Sequence, residues 1–172
     1  MNATCRSAGT RLAKGPLSVT EMAAWHTGVG WGMYGGGASK VAYKNRTRIP
    51  KFYLKNELGF WDMAQRCHWD DEWAQRMGHP AAYDYGVMRS CWMAHLVTNW
   101  MGDDAWIWKM KASVRKFNYL GDVTWSKGKV TEKVEEGGRK IVRAEVWCEN
   151  ALRTLETGVT TVRDLGAGGG VD

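Results

Sequence analysis

Between Tyr85 and Met101 the chain carries one charge, Arg89. Val87, Met88, Cys91, Trp92, Met93, Leu96 and Val97 recur there at helical spacing and cover more than one face. This pattern predicts a long helix that begins at Gly86 and is wrapped by other structure. Met101-Gly102-Asp103-Asp104 follows as a turn, with glycine near the C-cap. The period then changes. Trp106–Phe117, Val123–Val134, Lys140–Glu149 and Thr157–Arg163 read as strands. Val142, Ala144, Val146 and Cys148 alternate with Arg143, Glu145 and Trp147, and Glu135-Glu136-Gly137-Gly138 is a hairpin turn. Upstream, Ser18 and Glu21 form a capping box that opens a short helix through Trp25. The glycines of Gly28–Gly37 stop it, and Asn56–Arg66 reads as a further helix through Leu58, Phe60, Trp61 and Met63. One long helix followed by consecutive antiparallel strands is an α+β arrangement.

Composition narrows the class. The chain has 172 residues, 44% hydrophobic and 24% charged, as in an ordinary globular domain. The expected division is a disordered segment 1–14, one domain over 15–163 and a flexible tail 164–172. Cys5, Cys67, Cys91 and Cys148 show no C-x-x-C spacing, and Cys91 is expected on an apolar helix face as a small hydrophobe. With no signal-like apolar run at the start and no membrane-length segment, a cytoplasmic protein without membrane association is expected. The net charge of +6 favours anionic ligands or a solvated surface.

Two stretches invite and resist specific chemistry. Gly30-x-Gly32-x-x-Gly35 matches a dinucleotide loop by letter, but it lacks the preceding strand and the later acidic residue. Lys40–Lys55 interleaves Lys40, Lys44, Arg46, Arg48, Lys51 and Lys55 with Tyr43, Phe52 and Tyr53. Such a pattern suits the phosphates and adenine of coenzyme A, a single nucleic-acid strand, or a surface segment whose aromatics pack inward. Nucleic acid is the least favoured. Pro50 limits any helix or central strand there.

The stretch around the central helix carries the chemistry. His68-Trp69-Asp70-Asp71-Glu72 opens it, Gly78-His79-Pro80 turns it, and the helix starts at Gly86-Val87-Met88. The H-x-D-x-E-x-A motif, the G-x-P turn and the Gly-Val-Met start resemble MaoC-like dehydratases, the (R)-specific enoyl-CoA hydratases. The resemblance runs from about Gly15 to Arg163, and the chain is similar to the second unit of tandem acyl dehydratases. It implies the hot-dog fold, a curved antiparallel sheet wrapped round one long helix, with a basic, glycine-rich insertion around residues 28–60. It also implies hydration of an enoyl thioester, with coenzyme A as part of the substrate and no metal or other cofactor.

On the same resemblance His68 is the acid/base, and the Gly86 N–H holds the thioester oxygen. The family pattern D-x-N-P-x-H is broken: Met63, Gln65 and Arg66 stand where aspartate, asparagine and proline belong. Asp62 is then the candidate carboxylate. Asp84 and Tyr85 are candidate contacts near the thioester, with Asp84 alternatively a helix cap. His95 faces an acyl tunnel or is a hydrogen-bonded core residue. Arg46 and Arg48 are candidates for the coenzyme A phosphates. The broken pattern also suits a non-catalytic hot-dog subunit that helps enclose a bulky acyl chain. A homodimer, or a heterodimer with another hot-dog unit, is expected either way.

Overall fold

The computed structural model describes residues 11–29 and 39–150, and the backbone of 154–164. The sequence features over Gly30–Gly37, the N-terminal ten residues and the tail after Asp164 lie outside that description. The elements are β1 (Arg11–Lys14), α1 (Val19–Gly28), α2 (Lys40–Arg48), β2 (Tyr53–Lys55), β3 (Trp61–Met63), α3 (Asp71–Arg76) and α4 (Gly86–Met101). Four long strands follow: β4 (Ala105–Val114), β5 (Thr124–Glu136), β6 (Arg139–Glu149) and β7 (Thr154–Asp164). They form two compact units. One holds β1, α4 and the four long strands; the other holds Pro16–Tyr85 with Tyr119–Gly121.

In the first unit the sheet runs β1-β5-β6-β7-β4, every neighbouring pair antiparallel. The β5–β6 hairpin turns where expected, with Gly137 at φ 59° and Gly138 at φ 72°. Two consecutive left-handed residues are what a tight primed turn requires. The alternation on β6 holds for Ala144, Val146 and Cys148, which are buried, and then breaks: Ile141 is buried instead of Val142. The register of the pairing shifts at that level, between Val130 and Glu132.

Helix α4 packs on this sheet. Met93, Leu96 and Val97 form one buried cluster with Val146 and Cys148. Gly128 on β5 allows the close approach, since a Cβ there would meet Val146 Cγ1 at 3.2 Å and Leu96 Cδ2 at 3.5 Å. The burial of α4 is one-sided. Met88, Arg89, Trp92, Met93, Leu96 and Val97 are buried, whereas Val87, Cys91 and His95 are exposed. The expectation that Cys91 is a buried hydrophobe is therefore wrong. Its position one turn from Val87 places it on the solvent stripe. Arg89 is buried and its Nη1 donates to the Lys116 carbonyl, which is how a charge is carried inside the helix's apolar side.

In the second unit α1 starts as expected: the Glu21 N–H donates to Ser18 Oγ at 3.1 Å. One unforeseen element and one departure follow. Lys40–Arg48 is a helix, capped by Ser39 Oγ accepting from the Ala42 N–H at 3.1 Å, and it ends just before Pro50. Asn56–Arg66 is not a helix. Asn56 Oδ1 accepts from the N–H groups of Leu58 and Phe60, Gly59 takes φ 79°, and β2 pairs with β3. The side-chain turn at Asn56 competes with helix and wins. A 3₁₀ turn over Ala64–His68 then leads to α3.

Candidate functional site

His68 closes that 3₁₀ turn and is held by the segment that returns through Tyr83 and Tyr85. Its Nδ1 lies 2.8 Å from the Tyr83 carbonyl oxygen. A carbonyl only accepts, so Nδ1 carries the proton, and Nε2 of the neutral ring is left as an acceptor. Burial pushes the His68 pKa down to about 4 against the pull of the Tyr83 carbonyl; the nearby His26 and His79 rings push the same way. The imidazole is therefore neutral at pH 7.

The surroundings of His68 are aromatic. The Tyr85 ring lies 3.7 Å from it between centroids, and the Tyr83 ring meets it edge-on at 4.8 Å. Tyr85 stacks on Trp25 at 5.5 Å, and its hydroxyl is 3.0 Å from His26 Nδ1. His26 in turn meets Trp69 edge-on at 5.1 Å, and His79 sits 4.3 Å from Tyr83. Burial lowers the His26 pKa and raises those of both tyrosines. Cys67 backs the cluster, donating from Sγ to the Tyr83 hydroxyl at 3.4 Å, and burial pushes its thiol pKa up. Three of the chain's four histidines meet here. Chemically this is a cluster of imidazoles and phenols around a neutral His68, whose Nε2 can take a proton.

Three carboxylates are gathered around Arg66. Its guanidinium reaches Asp62 at 3.2 Å, Asp70 at 2.8 Å and Glu57 at 3.1 Å, and lies 4.7 Å above the Trp73 ring. Asp62 also accepts from the Met63 N–H at 2.9 Å. Asp70 caps α3, its Oδ1 accepting from the Trp73 N–H at 2.9 Å. Burial alone would raise the Asp70 pKa, but the Trp73 N–H and Arg66 outweigh it and hold the carboxyl below its usual range. Asp71 Oδ1 accepts from the Ala82 N–H at 2.8 Å. Much of the H-x-D-x-E-x-A motif thus builds α3, with Ala74 fully buried beneath it.

The candidate residues fall into groups. His68 and Tyr85 are brought together, and Asp84 is buried in the chain between Tyr83 and Tyr85. Asp62 goes to Arg66 instead. Gly86 opens α4 in the first unit, where an added Cβ would meet Val114 Cγ2 at 2.9 Å. His95 is not a core residue: it is exposed on α4 and accepts at Nδ1 from Lys14 Nζ at 3.0 Å. Arg46 and Arg48 lie on α2, and Arg46 sits 5.8 Å over the Tyr43 ring. His26 and Tyr83 were not foreseen. His26 ends a helix far from His68 in the chain, and no spacing rule links them.

No protein-family model matches the chain, and no curated protein matches it significantly in sequence. Solved structures do match in shape. A chain of the ChsH1–ChsH2 complex from Mycobacterium tuberculosis superposes with TM-score 0.62 at 17% identity, over 92% of this chain and 98% of that one. The (R)-hydratase of A. caviae involved in PHA biosynthesis gives 0.61 at 15% identity, over 93% and 98%. The R-hydratase PhaJ1 from Pseudomonas aeruginosa gives 0.60 at 11% identity, over 92% and 81%. Such identities establish a fold. The chain has the α+β hot-dog fold, which it shares with these structures. Among the described residues no helix is long and apolar enough to cross a membrane.

Proposed function

We propose that this is a MaoC-like hot-dog protein that binds acyl-CoA thioesters and hydrates an enoyl-CoA, or dehydrates the product. The observation that carries this is His68: a neutral imidazole fixed through Nδ1 to the Tyr83 carbonyl, with Nε2 as its acceptor. Water gives a proton to Nε2 as its oxygen bonds to the β-carbon. The double-bond electrons move toward the thioester carbonyl, whose oxygen gains charge. The imidazolium then returns the proton to the α-carbon, so the ring ends as it began. A backbone N–H is needed to hold that oxygen as it gains charge. Coenzyme A enters as part of the substrate, and no further cofactor is needed. The test is hydration of crotonyl-CoA and of a long or branched enoyl-CoA, followed by loss of the conjugated thioester's absorbance. Turnover that falls at least ~100-fold in His68→Ala supports the proposal; turnover that survives the substitution overturns it.

A second reading has its own support. Asp62 is held by Arg66, and a base with a pKa of about 4 is weak for work near pH 7. Both features suit a non-catalytic subunit that shapes an acyl site and pairs with a catalytic hot-dog unit. The ten-residue strand β4 lies at the sheet edge within its unit, with Trp106 and Trp108 exposed, and suits such pairing. On this reading the purified chain binds acyl-CoA without turnover until the partner is added.

A further inference from the structure

The second unit carries a cavity that the hydration chemistry does not use. It holds about 290 Å³ and is lined by Tyr43, Arg46, Thr47, Pro50, Tyr53 and Trp61. Its walls come from three neighbouring pieces. Helix α2 supplies Tyr43, Arg46 and Thr47; the turn after it supplies Pro50 and leads into Tyr53; the β2–β3 hairpin supplies Trp61. The Asn56 turn sets that hairpin, so the tryptophan's place is fixed by backbone and not by chance contact.

The lining combines two kinds of recognition. Tyr53 is 2% exposed and forms a wall, while Tyr43 is 66% and Trp61 43% exposed, leaving aromatic faces open to a ligand. Each open ring has a cation over it: Arg46 lies 5.8 Å from the Tyr43 centroid, and Lys55 lies 5.8 Å from that of Trp61. The segment that builds most of the cavity, Lys40 to Lys55, holds six basic residues and no acidic one. The hairpin's carboxylates, Glu57 and Asp62, are bound to Arg66. A flat aromatic ligand bearing a negative charge answers both features: base on ring, phosphate on cation.

Pockets for drug-sized ligands run from about 300 Å³ upward. At about 290 Å³ this one is of the size that takes a single nucleotide.

We propose that this cavity is a mononucleotide site, taking a phosphorylated nucleoside either free or as the nucleotide end of a larger ligand such as coenzyme A. The test is equilibrium binding to the whole chain by calorimetry at low salt, with adenosine 3′,5′-bisphosphate, coenzyme A, adenosine and an oligothymidylate as probes. Saturable binding of the bisphosphate is expected, at least tenfold weaker in Arg46→Ala and in Tyr43→Leu; both side chains are outside the core, so circular dichroism should show unchanged folds. Equal affinity for the bisphosphate and coenzyme A assigns the site to the nucleotide alone; tighter coenzyme A adds a contact to the attached arm. Adenosine binding as tightly as the bisphosphate would overturn the phosphate role. Oligothymidylate binding tighter than either nucleotide would make the surface a nucleic-acid site instead. No saturable binding, or binding indifferent to Arg46→Ala, would sink the proposal. Nucleotide binding should persist in His68→Ala, so this result is independent of whether the chain hydrates enoyl thioesters.

Discussion

His68 and Asp62 are six residues apart, yet they live in opposite electrostatic settings. The histidine sits in a box of rings, with its proton on a backbone carbonyl and its charged form suppressed by burial. The aspartate joins Glu57 and Asp70 around one guanidinium. A catalytic dyad would need these two chemistries in one place. Here they are sorted: the ring cluster can carry proton chemistry, and the charge cluster holds the segment together. The agent of the sorting is Arg66, which stands where the hydratase pattern has proline. It draws carboxylates toward itself while lying on the Trp73 ring.

The sharpest way to break the charge cluster is from beneath. Trp73 is buried with Cys67, Ala74 and Tyr83, under the guanidiniums of Arg66 and Arg76 at 4.7 and 4.6 Å. Trp73→Ala should cost about 3–5 kcal/mol, because it leaves a cavity and removes both cation–π contacts. Urea denaturation followed by far-ultraviolet circular dichroism measures it. A loss below ~1 kcal/mol would mean the cluster does not organise this unit.

Arg66→Met should cost less, about 2–3 kcal/mol at pH 7, since the stem still packs but partly buried carboxylates lose their cation. The pH dependence separates this from simple packing loss. The folded Asp70 pKa is depressed, so its stabilisation is full above the unfolded value of about 4 and disappears as pH falls through the folded value. The gap between wild type and Arg66→Met should therefore narrow below about pH 4. A gap that stays constant would assign the loss to packing on Trp73.

The ring cluster follows the same sign in a higher pH window. His68 falls from 6.5 to about 4 on folding, so between those values the unfolded chain binds the extra proton. Stability should drop as pH falls from about 6.5 to 4, by about 2–3 kcal/mol at most, and His68→Phe should flatten that slope. If the imidazole is the base, kcat/KM should hold level down to near pH 5 and fall only as the ring protonates. A loss of activity centred near pH 6.5 would contradict the buried, neutral ring.

Much of the sheet-and-helix unit was legible in the sequence, because it rests on repeating patterns. Gly86 starts α4, Gly137-Gly138 turns the hairpin, and Ala144, Val146 and Cys148 alternate inward. The helix's exposed stripe was not legible. Val87 and Cys91 are apolar by letter, and only the packing decides which apolar face meets the sheet. The second unit was read less well for a related reason. Its helix α2 is polar at most positions and buries only Ala42, and β2 and β3 are three residues each, too short for a period to declare itself. His68 was found through its motif. Its partners His26, Tyr83 and Tyr85 come from a helix end and a loop, and nothing local in the sequence announces that they meet.

The smallest effect probes that meeting directly. Tyr85→Phe keeps the ring against His68 and Trp25 and removes only the hydroxyl that meets His26 Nδ1 at 3.0 Å. The expected stability cost is about 1 kcal/mol, the net worth of one buried hydrogen bond. A purely structural hydroxyl moves nothing else. If the cluster acts as one proton-handling unit, the substitution also shifts the His26 and His68 imidazole titrations, which nuclear magnetic resonance of labelled histidines reads separately. Movement of His26 alone would confine Tyr85 to holding α1, and movement of both would couple α1 to the base. Tyr85 packs its ring against His68 while its hydroxyl meets His26, so it is a side chain that links α1 to an imidazole already held by the Tyr83 carbonyl.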